Sequence, residues 1–245
     1  MQYRLCRVLC PFYLSMVAVC AYAVPAKAAL ITASALNPSS QFVVNGTDRG
    51  AVHSVDGSGL DSSNPPLHTN QPNGEMWLNT GDGSFGGGAD PHPNGDLAQI
   101  TFGFTSGINS FGSFRVWNYN ELNGFNKRSV QTLTISTAAN SSGPFTPLTD
   151  PNNNNTTWTF DEAPGTSGYA GQLFTFTAPV TAAYVRFDIL TNYDQAGTDH
   201  GFVGLSEIQF YTPVPEPASL ISLGVGGGSL LLARRRPRRM TGRCV

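Results

Sequence analysis

Cysteine is missing from the whole stretch between residues 21 and 243; Cys6, Cys10 and Cys20 sit near one end and Cys244 at the other. That excludes a disulfide framework, a Cys-based zinc site and a Cys nucleophile from the central part of the chain. Charge is scarce as well, at 12% of residues, while the chain holds 27 Gly and 17 Pro. A chain poor in Glu, Lys and Arg and rich in turn formers does not build long helices. Basic residues are scarcest of all in 29–211, which carries Arg49, Arg115, Lys127, Arg128 and Arg186 against 15 acids. This excludes a nucleic-acid-binding surface, which needs clustered Lys/Arg, and adhesion to anionic lipid. The formal net charge of −2 is therefore the sum of an acidic middle, near −10, and two basic ends.

Catalytic motifs are lacking too. No G-x-S-x-G elbow occurs. His53, His68, His92 and His200 form neither H-x-H nor H-E-x-x-H. The glycine-rich stretch 81–90 has no Lys to make a phosphate cradle. None of the 15 acids is singled out as a glycosidase pair.

What is present begins with the ends. Arg4 and Arg7 precede an apolar run to Val24, and Ala26, Lys27 and Ala28 make an A-x-A pattern. Residues 1–28 read as a secretory signal peptide, cleaved after Ala28 or nearby. At the other end, Pro215, Glu216 and Pro217 precede an apolar run at 218–233. Arg234, Arg235, Arg236, Arg238 and Arg239 follow. As a helix the run spans about 24 Å, marginal for a bilayer. The Arg cluster orients it with the main domain outside. This arrangement over 212–245 closely resembles the PEP-CTERM sorting signal of Gram-negative bacteria. The resemblance implies an exosortase partner, removal of the tail, transient membrane insertion through 218–233, and export to the cell surface or extracellular matrix.

The middle, 29–211, shows strand patterns and no sustained helical period. Ile100, Phe102 and Phe104 alternate with Thr101 and Gly103. Phe114 and Val116, Val130, Leu133 and Ile135, Phe174 and Phe176, the run 184–190 and the run 208–211 continue the series. Polar connections at 56–74, 79–97, 138–155 and 191–204 separate them. The expected fold is all-β, a single jelly-roll sandwich. Asp56 and Gly57 early, 114–121 followed by 128–136, then 184–188 and 204–211, resemble in order and spacing a discoidin domain (coagulation factor V/VIII type C), a galactose-binding-like jelly roll. In that family a Thr-x-Trp motif follows the early Asp-Gly turn; in this chain an insertion delays the tryptophan to Trp77.

The resemblance implies a structural calcium between the early loop and the last strand. Asp56, Ser58, Asp61 and Glu207 are the residues that would supply oxygens. Candidate ligand contacts are Trp77, Asn118, Asn120, Glu121, Arg128, Tyr193, Asp199 and His200, since sugars take aromatic rings on their apolar faces and polar groups on their hydroxyls. Asn118 and Arg128 serve equally as a structural pairing between adjacent strands, and Trp117 is expected in the core. The expected function is non-catalytic binding of an exopolysaccharide or cell-surface glycan. A purely structural biofilm-matrix component and a polysaccharide hydrolase are the alternatives.

Overall fold

The computed structural model describes residues 27–44, 46–81, 97–195, 197–199 and 201–214. The expected sorting motif, the 218–233 helix and most of the signal peptide lie outside these residues. Among the described residues no helix is long and apolar enough to cross a membrane.

The strands, in chain order, are β1 (Leu30–Ile31), β2 (Ala33–Leu36), β3 (Phe42–Val44), β4 (Thr47–Arg49), β5 (Trp77–Leu78), β6 (Ala98–Phe104), β7 (Asn109–Asn118), β8 (Val130–Ala138), β9 (Thr146–Pro147), β10 (Thr157–Thr159), β11 (Gln172–Ala182), β12 (Tyr184–Asn192) and β13 (Gly204–Tyr211). One sheet runs β1-β13-β7-β11, with β5 also on β13. The second runs β10-β8-β12-β6-β2, with β9 on β8. The β3–β4 hairpin stands apart. Strand neighbours pair antiparallel throughout. The protein is an all-β jelly-roll sandwich, as its alternating aromatics predict.

Alternation decides the core. In the first sheet Phe114 stands opposite Phe174 on one side and Phe210 on the other. Phe114 and Phe174 stack at 4.9 Å between centroids. Phe102 and Phe187 from the second sheet meet edge to face at 5.2 Å, and Phe187 reaches Phe114 across the sandwich at 6.4 Å. Each such pair adds about 0.5–1.5 kcal/mol beyond the area it buries. Trp158 closes the side of this cluster, with its indole N–H donating to the Leu148 carbonyl.

Strand order then fixes the two ends of the sandwich. Leu30 pairs with Tyr211, so β1 and the close of β13 share one end. Ala29 and Thr212 exchange hydrogen bonds there. At the opposite end β13 begins, β7 finishes and β12 finishes. The connections 119–129 and 193–203 therefore lie together, tied by the Ser129–Gly204 bridge and by Tyr193 N–H donating to the Lys127 carbonyl at 3.0 Å.

Candidate functional site

The loop end gathers charge. Arg49, closing β4, forks onto Glu121: Nη1 donates to Oε2 at 2.9 Å and Nη2 to Oε1 at 3.1 Å. The Tyr119 hydroxyl donates to the same Oε2 at 2.7 Å and accepts from Arg49 Nη1 at 2.5 Å. Arg128 ends the short 3-10 turn Phe125–Arg128. Its Nη1 donates to Glu121 Oε2 at 3.2 Å and its Nη2 to Asp199 Oδ1 at 2.9 Å. Two cations and two anions thus balance in a largely buried network. Burial, together with the Glu121 carboxylate, pushes the Tyr119 hydroxyl well above its ordinary range. Burial works against the Arg128 charge, but Asp199 and Glu121 hold its pKa above the usual value.

Aromatic rings flank this network. The Arg128 guanidinium lies 4.3 Å from the Phe125 centroid and 4.9 Å from that of Phe202, the geometry of cation–π contact. Phe202 packs with Met76, Leu78 and Tyr119 and is buried; Phe125 keeps 37% of its surface exposed. Asp199 is half-buried beside it, and its backbone N–H donates to Asp194. One exposed ring and one partly open carboxylate thus contact the same guanidinium.

Of the expected ligand contacts, Glu121, Arg128 and Asp199 come together in this network, and His200 lies outside the described residues. Four other expected contacts need correction. Trp77 is not on a loop but in β5, fully buried, with its indole N–H donating to the Ser40 carbonyl. The core claims it because the insertion before it returns the chain to pair with β13. Asn118 is fully buried and spends its side chain on backbone, donating to Val130 and Asp161 carbonyls and accepting from the N–H groups of Tyr119 and Val130. Asn120 does likewise with Thr69, Thr166 and Gly165. Both are staples of loops to strands and have no group left for a ligand. Tyr193 is half-buried, and its hydroxyl is spent on the Phe160 carbonyl at 2.7 Å. Trp117 is in the core, as expected.

Sequence reasoning missed Arg49 and Phe125. Arg49 gives no local sign, since its partner is 72 residues away. Phe125 does give one: it follows Asn123 and Gly124, both at positive φ, in an otherwise polar loop. An aromatic there has no strand alternation to place it inside.

The expected metal ligands divide. Asp56 and Glu207 line one pocket of about 140 Å³ between β1, β13 and the Val55–Gly57 turn; Ser58 and Asp61 are not part of its lining. The Asp61 carboxylate closes its own loop, accepting from the Ser63 hydroxyl and from the N–H groups of Leu67 and Ser63, which lowers its pKa. Ser58 caps Asp56 through its backbone N–H at 2.8 Å. Glu207 is 1% exposed and accepts from the Gly57 N–H at 3.2 Å. Burial, with Asp56 nearby, pushes its carboxyl up to about 9. Among the described residues no group of three or more His, Cys, Asp or Glu converges on one point. Calcium takes six to eight oxygens. The pocket's two carboxyls would supply at most four of these, and Glu207 stays protonated and uncharged up to about 9.

No family model and no curated protein matches the sequence. Solved structures similar in fold include the family 32 carbohydrate-binding module from C. perfringens NanJ in complex with galactose. It is 17% identical, with 76% of this chain and 99% of that one covered, at a TM-score of 0.47. Another is CpGH89CBM32-5 from Clostridium perfringens in complex with GalNAc-beta-1,3-galactose, 13% identical, covering 75% and 100%, at 0.48. A third is the family 32 module of Streptococcus pneumoniae EndoD, 10% identical, covering 76% and 100%, at 0.43. This is a likeness of overall fold, and the loop-end site stands on its own geometry.

Proposed function

We propose that the domain is a non-catalytic module that binds an uncharged, hydroxyl-rich glycan at the loop end of the sandwich. The observation that carries this reading is Phe125, an exposed ring laid on Arg128, whose guanidinium also donates to the Asp199 carboxylate. A pyranose offers C–H groups on its faces and hydroxyls around its rim. A ring supplies contact for the first, and a pre-oriented carboxylate and guanidinium supply hydrogen bonds for the second. Arg49 and Arg128 are each already neutralised by carboxylates. A uronate or sulfate therefore meets no unpaired arginine among these groups, in a domain whose own charge is near −10. Retarded migration in gels containing a neutral polysaccharide, and free migration in alginate gels, tests this.

Hydrolysis fits less well. A glycosidase needs two carboxyls open to one bond. Glu207, whose raised pKa suits a general acid, is sealed beneath the Val55–Gly57 turn. The calcium proposal narrows from four residues to Asp56 and Glu207. Export through the 1–28 signal, and exosortase handling of the 212–245 tail, complete the reading as a surface or matrix protein. Cell fractionation with and without residues 215–245 checks that part.

A further inference from the structure

We propose that the open edge of β11 joins a second copy of this chain, strand to strand, across a two-fold axis. Among the described residues β11 pairs with β7 on one side, and no strand pairs with its other side. An unpaired edge is a template for another strand, and proteins commonly guard it with Lys, Pro or a bulge. In β11 the guards are confined to the far half, where Pro179 sits within the register shift between Thr175 and Val180. The near half, 172–175, reads Gln, Leu, Phe, Thr, keeps regular pairing with β7 and is unguarded.

Charge selects the partner. Residues 163–185 contain no Asp, Glu, Lys or Arg, although 29–211 carries 15 acids against five bases. Two copies near −10 repel at most approaches. They meet with least repulsion where each presents this neutral edge. A strand brought antiparallel to itself makes the isologous contact that a two-fold dimer requires. The pleat then sets Leu173 and Thr175 of both copies on one face. Leu173, 49% exposed in one copy, gains cross-strand neighbours there. The joined molecule also carries two loop-end sites, which raises avidity for a repeating polymer. The pairing itself does not depend on the glycan reading.

Light scattering on the full chain at rising concentration tests this. The wild type is expected to form a dimer. The double variant Leu173→Glu, Thr175→Glu and the single variant Thr175→Glu are expected to stay monomeric with unchanged circular dichroism. Leu190→Glu, an exposed position on β12, is expected to leave the dimer intact. A wild type that stays monomeric overturns the proposal. So does a dimer that persists in the β11 variants, or one lost equally in Leu190→Glu.

Discussion

Arg128 donates to Asp199 at 2.9 Å and so joins two loops 71 residues apart in the chain. With Arg49 and Glu121 it forms the one charge network that spans the candidate site. Its members are mostly out of water, and each is neutralised by a partner within the network.

Arg128→Met therefore leaves Glu121 short of one donor and Asp199 without its cation. Removing one partner of a buried pair costs about 3–5 kcal/mol. Urea unfolding should show a loss of that order, with Arg128→Lys in between because it keeps the charge but not the fork. A loss below about 1 kcal/mol, the range of surface pairs, would show that the network is solvated.

Glu207 gives a pH dependence with a defined sign. Its carboxyl titrates at 4.5 when unperturbed and is pushed up to about 9 in the fold. Between those values the folded state holds a proton that the unfolded state has released. Stability thus falls as pH rises through that window. In EDTA, Glu207→Gln should remove this slope and become progressively more stable than wild type toward pH 9. Parallel slopes for the two proteins would contradict the burial of Glu207 as a free acid.

Calcium should raise the melting temperature of the wild type and not that of Asp56→Asn or Glu207→Gln. Asp61→Asn should keep the response, because Asp61 serves its own loop. A thermal-shift series in calcium and EDTA decides it, and no response in the wild type removes the metal from the account.

Two glycines separate backbone strain from crowding. Gly59 and Gly74 have nearly the same φ, +75° and +76°. An added Cβ at Gly74 meets nothing, whereas at Gly59 it falls 2.5 Å from His68 Cε1. Gly74→Ala should cost about 1–2 kcal/mol, the penalty of the left-handed conformation. Gly59→Ala should cost clearly more, as the buried His68 has no room to yield. Equal midpoints for the two variants would contradict this packing.

The strands that alternate Phe with Thr or Gly were legible in the sequence because a period of two leaves only one face for the core. The shortest strands were not: β5 holds two residues, and Trp77 is buried through pairing with β13 rather than through any local pattern. Glu121 and Arg128 were legible as polar candidates of one segment, but their ion pair was not: the sequence offered Asn118 as the structural partner of Arg128, and the fold gives it Glu121. Arg49 was not, because only the β3–β4 hairpin delivers it to Glu121. Asn118 and Asn120 misled for a physical reason. An Asn that hydrogen-bonds sugar and an Asn that staples backbone have the same donors and acceptors, and the sequence does not say which partner is nearer.

The central claim is that Phe125 and Asp199 form a glycan surface. A glycan array in calcium-replete buffer, followed by calorimetric titration of the best neutral oligosaccharide, tests it most directly. The account predicts binding by the wild type and a loss of about tenfold, roughly 1.4 kcal/mol, in Phe125→Ala with its melting temperature nearly unchanged. An array without neutral-glycan signal, or full affinity retained in Phe125→Ala, would contradict it.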